Sequence, residues 1–405
     1  MLRERLIPVD RKACRRPVWA NSIELLLSSA LTQVHTGMSR LNDEIILIKP
    51  APGGEERARS FHIPSLDGVR AVAFAIVAVS HVPELFRVPG GLGVTIFFFL
   101  SGYLITTLLR RELAATGRIS VKNFYVRRVL RIFPPMYLTL AIGCLCSLLG
   151  MLPRQPTGRG IFSEVAHFTN YFLIAGHDRE VVPGQRVYWS LAVEEHFYLC
   201  FPLCSTWLLS IDRGKAVRIV AALCALVLAW RIVLVLTLDP SAVRMQYATD
   251  TRIDSILFGV IMAIGFNPVL DEPRLVNPRL AAKVLVLALC GVIATIVAPG
   301  FFLRETVRYT AQGLLLMPIF YVLITRASWP VIRWLNWRPV RYVGLISYTL
   351  YLVHDSLFHL LRFKFPQASP WLWLVLGLAG ASLYAGLMRQ VVEMRLLAWR
   401  RRYRE

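Results

Sequence analysis

The sequence predicts an all-α fold: a polytopic membrane helical bundle of about ten transmembrane helices with both termini in the cytoplasm. Three observations lead there. Of 405 residues, 56% are hydrophobic and the mean hydropathy is +0.52, too apolar for a domain that must keep a charged surface in water. Apolar runs close to the roughly 20 residues needed to cross a hydrocarbon core recur from residue 69 to residue 391. The basic excess, 46 Lys and Arg against 25 Asp and Glu, falls in alternate connections between those runs.

The ten runs fall at about 70–87, 92–109, 134–152, 188–210, 217–238, 252–267, 283–302, 309–326, 340–361 and 371–391. The run 161–176 reads as a re-entrant segment or an eleventh span. With the N-terminus inside, the connection 110–133 is cytoplasmic and carries Arg110, Arg111, Arg118, Lys122, Arg127, Arg128 and Arg131. Later inner connections hold Arg213, Lys215 and Arg218, then Arg274, Arg279 and Lys283, then Arg326, Arg333, Arg338 and Arg341. This distribution makes the net charge a matter of topology and removes the support for a nucleic-acid partner. Residues 1–60 read as a polar, basic, disordered extension, whose patch Ile23 to Leu31 is too short and too charged to span. Residues 61–395 form the membrane domain and 396–405 a basic cytoplasmic tail. The cysteines show no pair-plus-pair spacing, and six of the seven lie in or beside apolar runs, so they read as small buried hydrophobes and no metal site is expected.

Ionisable residues within spans are costly and each is a functional candidate. The first span carries Asp67, Arg70 and His81. Eleven residues at 100° each end about 20° from three full turns, so Arg70 and His81 share a face about 16 Å apart along the axis. Glu194, Glu195 and His196 lie about two turns into the fourth span, Arg252 and Asp254 open the sixth, and His354 with Asp355 sits in the ninth. The topology puts all four groups at similar depth in the outer half, although Arg252 with Asp254 could simply lock helices together. An imidazole with a carboxylate suits general-base chemistry: neutral His takes a hydroxyl proton while the anion holds its tautomer and stabilises the imidazolium. Ser101, among Gly90, Gly91, Gly93 and Gly102, reads as a packing residue rather than a nucleophile. On the inner side Arg127, Arg128 and Arg131 precede Pro134 and Pro135, which are expected to break the helix. Such a cluster anchors a span or docks a phosphorylated carrier, and coenzyme A fits: phosphates on the arginines, the pantetheine arm rising past Arg70 toward His81.

These residues resemble the acyltransferase family 3 of membrane O-acyltransferases across nearly the whole of 62–391. The resemblance rests on Arg70 with His81, then GGLGVTIFFFLSGYLI, FYVRRVLRIFPPMY, WSLAVEEHFYL with RIDSILFG, and GLISYTLYLVH, in that order. It implies transfer of acetyl or another short acyl group from acyl-CoA to a hydroxyl of a sugar or glycolipid, in a multi-pass protein of the bacterial inner membrane. Carried over, His81 is the base, Arg70 contacts the donor, and Arg127, Arg128 and Arg131 hold its phosphates. Glu194 is the essential carboxylate, with Glu195 one position away. Glu195, Arg252, Asp254, Ser347, Tyr348 and His354 are supporting residues, and no metal is called for. The family pattern also leads to the expectation of a stand-alone enzyme, since no hydrolase-like domain follows the last span. Direct transfer to the acceptor is favoured over an acyl-histidine. The rival readings are a glycolipid transporter and an intramembrane hydrolase using Ser101 and a histidine.

Overall fold

The computed structural model describes residues 63–86, 88–272 and 277–403; the expected extension 1–60 lies outside the described residues. Every regular element among them is helical. Helix α1 (Pro64–Ser80) starts on a proline, whose missing N–H costs nothing in a first turn, and stops at His81 just before Pro83. Helix α2 (Gly90–Thr116) ends on Gly117, left-handed at φ +71°, a conformation glycine takes without a Cβ penalty. Helix α3 (Val121–Leu148) is capped by the Ser120 hydroxyl, which accepts the Asn123 N–H. Two short helices follow, α4 (Gly158–Val165) and α5 (Thr169–Ile174), then α6 (Tyr188–Leu208), α7 (Arg213–Thr237), the short α8 (Ala242–Tyr247) and α9 (Thr249–Gly265). The chain continues through α10 (Pro278–Val297), α11 (Phe301–Glu305), α12 (Val307–Thr325), α13 (Pro330–Arg333), α14 (Arg338–Lys364) and α15 (Pro370–Met388). A π turn (Arg389–Glu393) leads into α16 (Met394–Arg401).

Helices of at least 17 residues occupy all ten expected positions. Six of them, α2, α3, α7, α10, α12 and the helical run from Pro370 to Leu397, are long and apolar enough to cross a membrane. The other four are α1, α6, α9 and α14, which are shorter or carry the ionisable residues. The outer helices α7, α10 and α15 expose Leu236, Leu287, Val297 and Leu383 at 64–71%. Apolar faces of that extent on long helices belong against lipid, and the protein is a multi-pass membrane protein. Inside, small residues let backbones touch. A Cβ at Gly102 would lie 2.0 Å from the Ile256 carbonyl oxygen, one at Gly259 2.1 Å from that of Phe99, and one at Gly344 1.8 Å from that of Asp67.

Three expectations change. The run 161–176 forms two helices of 8 and 6 residues with a break between them, too short to span, which sets aside the eleventh span of the two readings. The connection expected at 110–133 shrinks to Gly117–Ser120, because α2 and α3 extend beyond the apolar runs, so Arg127, Arg128 and Arg131 sit on α3 itself. Pro134 and Pro135 do not break α3: in the turn before them the Tyr348 hydroxyl donates to the Ile132 carbonyl at 2.8 Å, the kind of side-chain support that lets membrane helices carry proline.

Helix directions follow from the contacts. Gly344 lies against Asp67 and His354 against His81, so α1 and α14 run parallel. Gly90 packs on Ser80 and Gly93 on Ala73, so α2 runs the other way; Phe98 meets Trp189 and Ser101 meets Tyr198, so α6 runs with α2. Outside the spans, Asp271 is clasped by Arg110 at 2.8 Å and by Arg213. Burial alone would raise its carboxyl, but bonds from Arg110 and the Asn267 N–H, with both arginine charges, hold it below the usual range. Glu180 closes the α3–α6 connection. The Thr157 hydroxyl at 2.7 Å, then the charges of Arg159 and His177, keep its carboxyl below the usual range as well.

Candidate active site

His81 is the C-cap of α1. Its Nδ1 lies 2.8 Å from the Val77 carbonyl, one turn back, which can only accept; Nδ1 therefore carries a hydrogen, and in the neutral ring Nε2 has the lone pair. The side chain is 28% exposed, and Nε2 faces Asp355 Oδ2 at 3.9 Å. Asp355, on α14, is 6% exposed and also meets His359 Nδ1 at 3.4 Å. His354 lies edge-on to His81, ring centroids 5.0 Å apart; its Nδ1 is bound to the carbonyls of Leu350 and Tyr351. Arg362 donates to the His81 carbonyl at 2.6 Å and to Glu84 at 3.3 Å, holding the end of α1 where orphan carbonyls favour a cation. The tautomer of His81 is thus set by a backbone carbonyl, and the anion stands beside Nε2.

Glu194 lies elsewhere. Its Oε1 accepts from Ser101 Oγ at 3.0 Å and its Oε2 from the Tyr198 hydroxyl at 2.8 Å, with Tyr198 and Ser101 3.1 Å apart. Arg128 stacks over the Tyr198 ring at 4.7 Å and is within electrostatic reach of Glu194 and Glu195. Arg70, bonded to Asp67 at 3.2 Å, is in turn within reach of Arg128 and Arg131. Arg131 is exposed on α3.

Between the two groups, α6 and α14 touch at Ser190 and Tyr351. The Tyr351 hydroxyl lies 2.7 Å from Ser190 Oγ and donates to the Val187 carbonyl at 3.2 Å. Asp355 is one turn beyond Tyr351 on α14, Glu194 one turn beyond Ser190 on α6, and these helices run in opposite directions. The carboxylates therefore diverge from that contact by about 6 Å each along the axis, about 12 Å in all. Glu194 cannot orient His81; Asp355 stands where it was expected. The expected common depth fails because α6 begins part-way down the bundle, below a connection whose Gly184 packs on Ser356.

Of the other expected residues, Arg127 is tied to Glu112 at 2.8 Å and to the Tyr403 carbonyl at 2.7 Å, a structural clasp rather than an open phosphate dock. Arg252 lies 4.0 Å over the Tyr309 ring and bonds Thr95, while Asp254 pairs with the fully buried Arg231 at 2.6 Å and with Thr310. Through these partners the two residues lock α2, α7, α9 and α12. Glu195 is half-buried near Arg128 and Tyr137, Ser347 is buried on α14, and Tyr348 braces α3. His196 turns to Thr249 at 2.7 Å. Ser101 touches a carboxylate and a phenol, not a histidine, which removes the geometry the hydrolase reading requires. A cleft of about 830 Å³ lined by Arg213, Asp271, Met317 and Tyr321 includes none of these residues. Sequence reasoning missed Tyr198, Ser190 and Tyr351; Tyr198 follows Glu194, and Asp355 follows Tyr351, by four residues, the spacing that puts side chains on one helix face.

Fold and site together define a multi-pass helical membrane protein with an imidazole–carboxylate pair at one end of the bundle and an arginine-flanked carboxylate deeper in it. The family model described as an acyltransferase domain matches residues 63–388, and the chain belongs to that family. Among similar proteins, a Staphylococcus aureus protein with a provisional O-acetyltransferase name is 31% identical over 53% of this chain. Bacillus subtilis YrhL, provisionally named a peptidoglycan O-acetyltransferase, is 30% identical over 72%, and Listeria monocytogenes peptidoglycan O-acetyltransferase OatA is 28% identical over 82%. The matches cover 37%, 48% and 55% of those proteins, so the chain corresponds to only part of each. No solved structure matches.

Proposed function

We propose that the protein transfers an acetyl or other short acyl group from acyl-CoA to a hydroxyl of a glycan or glycolipid acceptor at the bacterial cytoplasmic membrane. The observation that carries this reading is His81, whose neutral ring has its lone pair on Nε2, with Asp355 at 3.9 Å and a side chain 28% exposed at the end of α1. Family membership and the names of the relatives support acyl transfer and a sugar acceptor.

In this reading all ten long helices span the membrane, both termini are cytoplasmic, and His81 faces outward. The donor enters from the opposite end. Arg131, Arg128 and Arg70 receive its phosphates, and the group of Glu194, Ser101 and Tyr198 lines the way of its extended arm. The acceptor oxygen attacks the thioester carbonyl as His81 Nε2 takes its proton; the C–O bond forms and the C–S bond breaks. Asp355 stabilises the imidazolium, which returns the proton to the departing thiolate. A transporter needs no such base. Labelled acetyl-CoA decides between them: label appearing on membrane glycan supports transfer, and glycan translocation without label supports transport.

A further inference from the structure

We propose that Tyr351 and Ser190 form a closed partition between the donor-side and His81 groups, and that this partition decides whether an alcohol or water attacks the thioester. The inference rests on the acyl-transfer reading above. Tyr351 is 6% and Ser190 5% exposed, and their hydroxyls lie 2.7 Å apart. Tyr351 is backed by Phe97 at 6.0 Å and His354 at 5.7 Å between ring centroids, and by the Val187 carbonyl behind its hydroxyl. It stands within electrostatic reach of Glu194 on one side and Asp355 on the other. In this proposal, a group passing from the arginines to His81 displaces this contact.

A partition at that place has a chemical consequence. The His81 side chain is 28% exposed at the end of α1, near the exposed Glu84, and in this proposal water reaches the base there in the absence of acceptor. A thioester resting beside it would be hydrolysed: water oxygen bonds to the carbonyl carbon, His81 takes the proton, the C–S bond breaks, and the thiolate recovers the proton, leaving free acid and CoA. Holding the acyl group on the Glu194 side of Tyr351 until an alcohol fills the His81 end prevents that loss. Tyr351 and Ser190 act as positioning residues here, setting where the thioester waits.

The test uses the purified full chain in lipid nanodiscs with acetyl-CoA alone, following CoA release by chromatography. Tyr351→Phe and Ser190→Ala each remove the shared hydrogen bond and should raise acceptor-independent hydrolysis about five- to tenfold, the equilibrium worth of one buried bond. Ser190→Thr, which keeps a hydroxyl, should stay at the wild-type rate. The gain should vanish when His81→Ala is added to Tyr351→Phe. Misfolding does not produce a gain of rate, so the signature is distinct from structural damage. Hydrolysis unchanged in both single variants, or a gain that survives His81→Ala, overturns the partition while leaving acyl transfer standing. Failure of every preparation, wild type included, to bind acetyl-CoA overturns the acyl-transfer reading and the partition with it.

Discussion

Replacing Asp355 with asparagine removes one charge and almost no volume, so it isolates what the carboxylate does for His81. The gap between Asp355 Oδ2 and His81 Nε2 is 3.9 Å. At an effective dielectric of about 20, unit charges at that separation attract by about 4 kcal/mol. The imidazolium is only partly formed at the transition state, and the exposed side of His81 admits screening water, so about half or less of that value should appear in the barrier. A loss of 1–2 kcal/mol corresponds to a fall in transfer of roughly 5–30-fold. The assay is movement of radiolabel from acetyl-CoA to membrane glycan, with acetyl-CoA affinity measured on the same protein. Asp355→Asn should lower the maximal rate while leaving donor KM within about twofold, the pattern of an interaction made only in the transition state. A variant that transfers at the wild-type rate would refute the pairing. A raised donor KM at unchanged maximal rate would move Asp355 to donor binding.

Other outcomes follow from the same geometry. Arg131→Ala and Arg128→Ala should raise the KM for acyl-CoA several-fold, whereas Arg127→Ala, which loses its bond to Glu112, should lower thermal stability and leave that KM unchanged. Arg231→Met strands the fully buried Asp254 and should cost about 3–5 kcal/mol of stability, while the double change with Asp254→Leu should be much milder; a denaturation series in detergent reads both. Gly344→Ala puts a methyl 1.8 Å from the Asp67 carbonyl oxygen and should part α1 from α14, seen as loss of monodisperse protein in size-exclusion chromatography. Asp271 is held by Arg110 and Arg213 with its carboxyl depressed, so its contribution is present above the ordinary carboxylate pKa of about 3.9 and is lost as pH falls below it. Asp271→Asn should flatten that acid limb of a melting-temperature profile.

Helix placement was legible because hydropathy has a length scale: ten apolar runs near 20 residues mark ten helices, whatever their neighbours. Helix ends were not, since α2 and α3 extend as helices beyond the apolar stretch, α3 carrying Arg127, Arg128 and Arg131 with it. The site divides in the same manner. That His81 and Glu194 sit within apolar helices is visible along the chain, and their cost there marks them as functional candidates. Which carboxylate stands beside His81 depends on the depth at which α6 begins, and that depth follows how the connection through Gly184 packs on α14, a tertiary fact without periodicity. Arg252 and Asp254 carried both readings along the chain, chemistry or a helix lock, and their partners on other helices, Arg231 for Asp254 and Thr95 for Arg252, favour the lock.

The most direct test of acyl transfer through His81 is the rate of labelled acetyl movement from acetyl-CoA to membrane glycan by wild type and His81→Ala, with acetyl-CoA binding measured on both. Acyl transfer through His81 predicts retained binding and a fall in transfer of about 10²–10⁴-fold, the usual worth of a positioned base. Transfer by His81→Ala close to the wild-type rate would contradict it.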